Sequence, residues 1–166
     1  MPRPRGPRPT PAFAAVALDT TIVPRGDTFG RIYHERFADP LGFGKTPSRF
    51  SDQARRIAPH RFGVLYLGSS LKVCFLEAVL RDERDGLVGD WPICDSELAT
   101  RRYVEIQVTT DLTLIDLTED YAVRMGIPSD VARGSDQTLA RAWSQSFHGH
   151  PSRIDGVLDD LRVSLI

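Results

Sequence analysis

The sequence predicts an α+β fold: a compact single domain with mixed β-sheets and flanking helices. Short apolar or alternating runs typical of strands occur together with two amphipathic helical patterns, and they lack a regular βαβ rhythm. The length of 166 residues suits one domain with a sizeable core. Hydrophobic residues make up 41% and charged residues 26%, which is the composition of a globular protein.

The net charge and the cysteines exclude several classes of protein. The chain carries 21 Lys+Arg and 22 Asp+Glu, a net charge of -1, so we expect no direct nucleic-acid binding. No apolar stretch approaches the roughly 18 residues of a membrane-spanning helix, and we expect no membrane contact. Cys74 and Cys94 lack C-x-x-C spacing, which excludes a zinc ribbon and a disulfide scaffold.

The N-terminal segment, residues 1–12, is rich in Pro and Arg and is predicted to be a flexible arm before a domain that spans residues 13–166. A solvated tail is the simplest interpretation, and contact of its basic charge with an acidic partner is the alternative. The segment lacks the apolar stretch of roughly 7–15 residues that a secretory signal needs, so we expect a cytoplasmic protein.

The first half of the chain alternates strand patterns with one long loop. Residues 12–23 and 29–37 predict two strands. Residues 39–61, rich in Gly, Pro and charge, predict an irregular loop with one short helical piece, and a loop of that length in a compact domain is usually functional. The apolar run at 63–67 predicts a buried strand.

Residues 69–82 carry the clearest helix pattern in the chain. Ser69 or Ser70 is a suitable N-cap. An apolar stripe follows at helical spacing: Leu71, Cys74, Phe75 and Ala78. Because the middle of this helix is so apolar, we expect the helix to be buried.

The second half is predicted to hold four strands and a second helix. Residues 103–108 alternate cleanly as a strand, and residues 112–117 follow as another. Residues 136–147 predict an amphipathic helix, and residues 154–158 and 162–166 predict closing strands. The second helix has its apolar stripe at Leu139, Trp143 and Phe147.

Two motifs that suggest chemistry fail on closer inspection. Residues 42–46 resemble the end of a phosphate-binding loop, but Asp39 stands where the first glycine is required, and Pro47 biases the preceding residue away from helix. His148 and His150 have no third ligand nearby in the sequence, so we expect no metal site.

Glu77 is out of place, because apolar residues surround it on both sides in the first helix. A buried carboxylate costs several kcal/mol unless it is paired. Three explanations stay open at this point. The side chain points to a solvated face, it pairs with an arginine, or it faces a ligand cavity.

The basic residues are strongly biased, with 19 Arg and two Lys. Arg31 and Arg49 stand close to aromatic residues in the sequence. The planar guanidinium suits bidentate phosphate contacts, and a neighbouring aromatic ring can stack on a base or a pyridine ring. For each arginine taken singly, a surface salt bridge is the alternative.

These residues, in this order, resemble the RES domain family, which is named for its Arg, Glu and Ser. The resemblance covers residues 30 to 156, most of the chain. It rests on an ordered set of short motifs: Arg31 with Tyr33, SRFSD at 48–52, FGVLYL at 62–67, a helix carrying Glu77, and a D-G-hydrophobic segment at 155–158.

The resemblance implies a toxin of a bacterial type II toxin–antitoxin system, with a fold similar to that of ADP-ribosyltransferase toxins and with NAD as its substrate. Its antitoxin would carry an Xre-type helix-turn-helix domain and cover the NAD cleft, with residues 39–61 as the rim. Most members of the family deplete NAD by breaking the nicotinamide–ribose bond, through hydrolysis or phosphorolysis. The alternatives are ADP-ribose transfer to a host protein, such as a nucleotide-synthesis enzyme, and an inactive module that binds NAD or the antitoxin.

The resemblance also assigns roles to individual residues, without a metal. The catalytic set is Glu77, Arg31 and Tyr66, and the substrate-binding set is Tyr33, Arg49, Phe50 and Ser51. The chemistry agrees with this assignment, because cleavage of the bond builds positive charge on the ribose, as in glycosidases. A carboxylate in a dry pocket stabilises such charge and holds the ribose hydroxyls.

The C-terminal segment departs from the family pattern. Members usually follow the D-G-hydrophobic segment with a Tyr and then a Ser-Arg pair. Here the expected Ser falls near Leu161, and Ser164 is displaced from it. Either this signature residue is lost or Ser164 replaces it, and full activity depends on which of the two holds.

Overall fold

The computed structural model describes residues 7–80, 88–135, 137–160 and 162–166. It confirms the α+β fold, since helices flank a seven-stranded mixed sheet within these ranges. The sequence analysis predicted more than one sheet, but the strands form one continuous sheet in which each strand is hydrogen-bonded to its neighbour.

The strands agree with the sequence patterns to within a few residues. Their bounds are Thr20–Val23 (β1), Thr28–His34 (β2), Leu65–Gly68 (β3), Arg101–Gln107 (β4), Leu112–Asp116 (β5), Gly156–Leu158 (β6) and Arg162–Leu165 (β7). Their order in the sheet is β1-β5-β6-β7-β3-β2-β4. β5 and β6 pair in parallel, and all other neighbouring strands pair antiparallel. Of the run at 12–23, only the last four residues form a strand, and the run begins within a 3-10 turn at Pro11–Ala15.

The helices include three short ones that the sequence analysis did not predict. Their bounds are Leu71–Phe75 (α1), Asp95–Ala99 (α2), Tyr121–Arg124 (α3), Asp130–Arg133 (α4) and Gln137–His148 (α5). α2, α3 and α4 are about one turn each, too short to show a helical period. Within the described ranges, no helix is long and apolar enough to cross a bilayer.

The larger part of the core lies between the sheet and α5. The predicted stripe of α5 is confirmed, since Leu139, Trp143 and Phe147 are all buried. Phe13 packs edge-on against Trp143 with ring centroids 5.0 Å apart, and the Trp143 indole N–H donates to the carbonyl of Pro7 at 3.1 Å. The segment from Pro7 onward is thus held against α5, whereas residues 1–6 of the predicted arm lie outside the described residues.

The long loop at 39–61 is confirmed, with a 3-10 turn at Ala58–His60 as its short helical piece. Asp52 organises this loop from a buried position. Its carboxylate accepts hydrogen bonds from the backbone N–H of Ala54 at 2.8 Å and from the Gln145 side chain at 2.7 Å. Burial acts to raise the pKa of Asp52, but these hydrogen bonds outweigh it and lower the pKa below its ordinary value.

The first helix begins as predicted, because Ser70 is the N-cap and its side chain accepts from the backbone N–H of Val73. Its expected burial is wrong. Leu71 is 51% exposed, and of the predicted stripe only Cys74 is buried. The α-helix ends at Phe75 and continues as a π-helical turn, Leu76–Leu80; the predicted end at residue 82 lies outside the described residues.

Two glycines let α1 approach the sheet closely. Gly30 of β2 and Gly68 of β3 lie opposite each other. A Cβ at Gly68 would lie 2.7 Å from the Cys74 sulfur, and a Cβ at Gly30 would lie 3.0 Å from the same atom. The buried thiol of Cys74 therefore occupies space that only glycine leaves open, and this contact fixes the position of α1.

We expect Gly68→Ala to lower the free energy of unfolding by about 1–3 kcal/mol, the usual cost of overpacking, because α1 must move away from the sheet. Urea denaturation measures the change. In a Cys74→Ala background the same substitution should cost less, since the sulfur is gone. The matched control is Gly44→Ala, where the nearest atom would lie at an ordinary 3.7 Å. Equal costs in both backgrounds would contradict this explanation.

Candidate functional site

A cleft of about 260 Å³ lies where α1 and its π-helical turn meet the sheet and the long loop. Its wall combines apolar residues of β2, β3 and α1 with seven polar or charged side chains that come from distant parts of the chain. These seven are Arg31, Ser48, Arg49, Tyr66, Glu77, Gln137 and Arg162. Four residues selected from the sequence, Arg31, Arg49, Tyr66 and Glu77, thus share one cleft.

Glu77 lies on the π-helical turn that follows α1, and its side chain is 27% exposed. Its Oε2 accepts a hydrogen bond from Nη1 of Arg162 at 2.8 Å. Two of the three explanations for this residue therefore hold together, since it pairs with an arginine and also faces a cavity. A π-helical turn is common at functional sites because it redirects the side chains that follow an α-helix.

Arg162 is the charged residue of the described cleft wall that the sequence analysis did not select. It opens β7 opposite Gly68 and is 8% exposed. Its Nη2 and Nε donate to Oδ2 of Asp159 at 2.7 and 3.1 Å. Burial acts to lower the pKa of Arg162, but the hydrogen bond and charge of Asp159, and then the charge of Glu77, raise it above its ordinary value. The guanidinium is therefore a permanent cation of the cleft wall.

The family pattern contains a signal that would have identified Arg162. The family pattern ends in a Ser-Arg pair, and with the Ser near Leu161 the Arg falls at position 162. Leu161 itself lies outside the described residues. Ser164, the displaced candidate, is fully buried beside Tyr66 in the sheet and is absent from the described lining of the cleft.

Tyr66 lines the cleft, and its hydroxyl is bound to the long loop. The hydroxyl donates to Oγ of Ser48 at 2.8 Å and accepts from the backbone N–H of Phe50 at 2.9 Å. The carbonyl of Ser48 in turn accepts from Nε of Arg141 at 2.9 Å. This network fixes the loop against β3 and α5.

Arg31 and Arg49 line the cleft and also anchor its rim. Arg31 donates to the carbonyls of Pro40 and Gly42, the latter at 3.1 Å, and burial lowers its pKa against the opposing effect of nearby charges. Arg49 is 5% exposed and donates through Nη1 to the carbonyl of Gly134 at 2.8 Å. A guanidinium has five N–H donors, so each can hold a loop and still face a ligand.

The other three residues assigned to substrate binding lie outside the described lining of the cleft. Phe50 is fully buried in the core, and its carbonyl accepts from Oγ of Ser144 at 2.6 Å. Ser51 is also buried, and its hydroxyl donates to the carbonyl of Ser48 at 2.9 Å. Tyr33 is half-buried on β2. Phe50 and Ser51 therefore support the loop from beneath rather than face the cleft.

The two histidines do not form a pair. The ring of His148 stacks on Phe62 with centroids 4.2 Å apart, whereas His150 is buried against the carbonyl of Phe13 at 3.3 Å. In the part of the chain that the structure describes, no group of three or more His, Cys, Asp or Glu side chains is arranged to hold a metal ion.

The cleft combines a fixed carboxylate with guanidinium groups and an aromatic ring. A half-buried carboxylate stabilises a positive charge that develops on a bound molecule, because the low local dielectric strengthens the interaction. Guanidinium groups bind phosphates or other anions. The arrangement therefore suits a ligand that carries anionic groups at one end and develops positive charge at the other.

Comparisons with known proteins agree with the motifs and the fold. A protein of Sinorhizobium fredii described as "Probable toxin y4kH" is 32% identical over 85 residues, which cover 51% of this chain and 67% of that protein. The fold is similar to a chain in the crystal structure of the M. tuberculosis MbcT–MbcA toxin–antitoxin complex. That match has a TM-score of 0.60 and 20% identity, and it covers 87% of this chain and 75% of the solved one.

The family model of the RES domain matches residues 28–158. This range contains Arg31, Arg49, Tyr66 and Glu77, which the fold brings into one cleft. Because the match extends over most of the chain, this protein belongs to the RES domain family.

Proposed function

We propose that this protein is the toxin of a bacterial type II toxin–antitoxin system and that it cleaves the nicotinamide–ribose bond of NAD. One observation carries the proposal: the Glu77 carboxylate, held by Arg162 at 2.8 Å, lies in one cleft with Arg31 and Arg49. Membership of the RES domain family and the relative described as a probable toxin support the toxin role.

The reaction follows from the charge that the cleft can stabilise. The bond between C1′ of the ribose and the ring nitrogen of nicotinamide breaks, and its electron pair neutralises the pyridinium. The ribose is left as an oxocarbenium-like cation, which the Glu77 carboxylate stabilises. Water then adds to C1′ and loses a proton, giving ADP-ribose. If inorganic phosphate adds instead, the product is ADP-ribose phosphorylated at C1′.

The size of the cleft suits one end of the dinucleotide. Its volume of about 260 Å³ is slightly below the roughly 300–1,000 Å³ of pockets that enclose drug-sized ligands. We infer that nicotinamide and its ribose occupy the cleft against the ring of Tyr66. The diphosphate then extends toward Arg31 and Arg49, whose planar guanidinium groups suit bidentate phosphate contacts.

We expect Glu77→Gln to lower kcat for nicotinamide release from NAD by about 100-fold or more, with a much smaller change in KM. The amide keeps the shape of the side chain but loses the charge that stabilises the ribose cation. Chromatography of free nicotinamide, with and without added phosphate, measures the rate. The same substitution should also relieve growth arrest when the protein is expressed in bacteria.

Glu97→Gln is the matched control, because Glu97 is a surface acid whose pairing with Arg101, at 3.6 Å, is weak. This variant should keep the full rate of nicotinamide release. Absence of release by the unmodified protein under all conditions would overturn the proposed reaction. A normal rate for Glu77→Gln would remove Glu77 from the mechanism.

The acceptor of ADP-ribose decides between NAD depletion and modification of a host protein. The cleft is open to solvent, and water or phosphate needs no recognition surface, so we expect depletion. Incubating the protein with NAD labelled in its adenylate half and a bacterial lysate should place the label in small molecules. A single labelled protein band would instead identify an ADP-ribosyltransferase.

We further propose that a helix-turn-helix antitoxin of the Xre type binds over the cleft. The rim at 39–61 carries three apolar side chains that are each about half exposed, Leu41, Phe43 and Ile57, and Phe37 just before it is exposed to a similar degree. Exposed apolar surface of this kind is suited to contact with a partner protein. The solved structure with a similar fold also comes from a toxin–antitoxin complex.

Replacing Leu41 and Phe43 together by Ser should weaken antitoxin binding by at least about 10-fold while leaving nicotinamide release unchanged. Calorimetric titration of the toxin with the antitoxin encoded beside it measures the affinity. Val123→Ser, on the exposed face of α3, is the control and should bind normally. Unchanged affinity of the double variant would exclude this rim as the docking surface.

A further inference from the structure

The turn between β6 and β7 contains a buried charge cluster that the family pattern does not predict. Asp159 directly follows β6 and is 7% exposed. Its carboxylate receives three hydrogen bonds from Arg162, one from Nη2 at 2.7 Å and two from Nε at 3.1 and 3.3 Å. Charge-assisted hydrogen bonds from two nitrogens of one guanidinium to one carboxylate are among the strongest side-chain contacts.

The same guanidinium reaches Glu77 through its remaining terminal nitrogen, Nη1, at 2.8 Å. Arg162 therefore bridges two carboxylates with different donors: Nε and Nη2 face Asp159, and Nη1 faces Glu77. The planarity of the guanidinium fixes the direction of Nη1 once Asp159 holds the other side. The orientation of the Glu77 carboxylate in the cleft thus depends on an acid that sits behind Arg162.

Asp159 itself does not line the cleft. It lines an adjoining cavity of about 250 Å³, which shares Arg49, Glu77 and Arg162 with the cleft. The hydrogen bonds from Arg162 therefore connect Asp159 to the wall of the cleft. Without Asp159, Nε and Nη2 of the buried guanidinium would lose the acceptor that they have here, and an unsatisfied donor on a buried cation is costly.

We propose that Asp159 is a positioning residue, which holds Arg162 so that Glu77 keeps its orientation toward the substrate. This inference rests on the proposed cleavage of NAD for its kinetic consequences. Its geometric part, that Asp159 holds Arg162, stands independently of any activity.

The test is Asp159→Asn in the full chain, which keeps the shape of the side chain and removes its charge. We expect kcat for nicotinamide release to fall about 10-fold or more, the usual effect of removing a partner behind an active group. KM should change by about twofold or less, because Asp159 does not face the substrate. Asp159→Glu, which restores the charge, should recover part of kcat.

A second measurement separates positioning from a general loss of structure. In an Arg162→Gln background, Asp159→Asn should have no further effect on kcat, because the residue through which it acts is gone. If the two effects multiply independently, Asp159 has only a structural role and the proposal is overturned. An unchanged kcat for Asp159→Asn overturns it as well.

The neighbouring acid provides the matched control. Asp160 forms a solvent-exposed ion pair with Arg133 at 2.7 Å and also lines the adjoining cavity. Asp160→Asn should leave kcat unchanged, since exposed pairs contribute little. A loss of kcat equal to that of Asp159→Asn would show that any charge change in this turn is sufficient, and would contradict the specific role of Asp159.

A readout without NAD distinguishes failure of this proposal from failure of the proposed function. Hydrogen exchange at Nε of Arg162, followed by NMR, should be about 10-fold or more faster in Asp159→Asn than in the unmodified protein. Equal exchange rates would overturn the proposal even in an active enzyme. If the unmodified protein releases no nicotinamide but exchange accelerates, the proposed function fails and the holding of Arg162 by Asp159 stands.

Discussion

The ion pair between Glu77 and Arg162 is the constraint on which the cleft depends. It joins the π-helical turn after α1 to the first residue of β7, two elements that are 85 residues apart in the chain. A partly buried pair of this kind is costly unless its remaining donors are hydrogen-bonded, and Asp159 accepts from Nε and Nη2 on the far side of the guanidinium. The close approach of α1 to Gly68, which lies opposite Arg162 in the sheet, brings the two partners within reach.

The excess of arginine over lysine has a structural explanation in the loops. The irregular rim of the cleft has carbonyl groups without strand partners, and buried or half-buried carbonyls require donors. Several guanidinium groups supply them: Arg31 to Pro40 and Gly42, Arg49 to Val131 and Gly134, Arg61 to Lys45, Arg55 and Arg56, and Arg141 to Ser48. A lysine ammonium lacks the planar, divergent donors that allow one side chain to reach two or three carbonyls. These arginines therefore bind backbone carbonyls, a role that the sequence analysis did not consider.

The same contacts connect the fold to the proposed chemistry. A site that stabilises a short-lived cation needs its carboxylate and its anion-binding groups fixed before the substrate arrives. Here the hydroxyl of Tyr66 is hydrogen-bonded to the long loop, and Arg49, which belongs to that loop, donates to the carbonyl of Gly134. The loop and the cleft wall therefore form one unit. The exposed Leu41 and Phe43 flank Gly42, whose carbonyl binds Arg31 of the cleft wall, so the proposed antitoxin surface adjoins the cleft.

The sequence by itself determined the features that arise from local periodicity. The strands, the buried stripe of α5 and the Ser70 cap were all predicted, because alternation, helical spacing and capping act within a few residues. The isolated acid at position 77 and the ordered family motifs also identified four of the seven polar or charged side chains in the described cleft wall. Only the tertiary structure decided that α1 lies at the surface, that Phe50 and Ser51 are buried beneath the loop, and that Arg162 completes the site. Burial and ion pairing depend on which distant segments meet, and spacing along one chain does not contain that information.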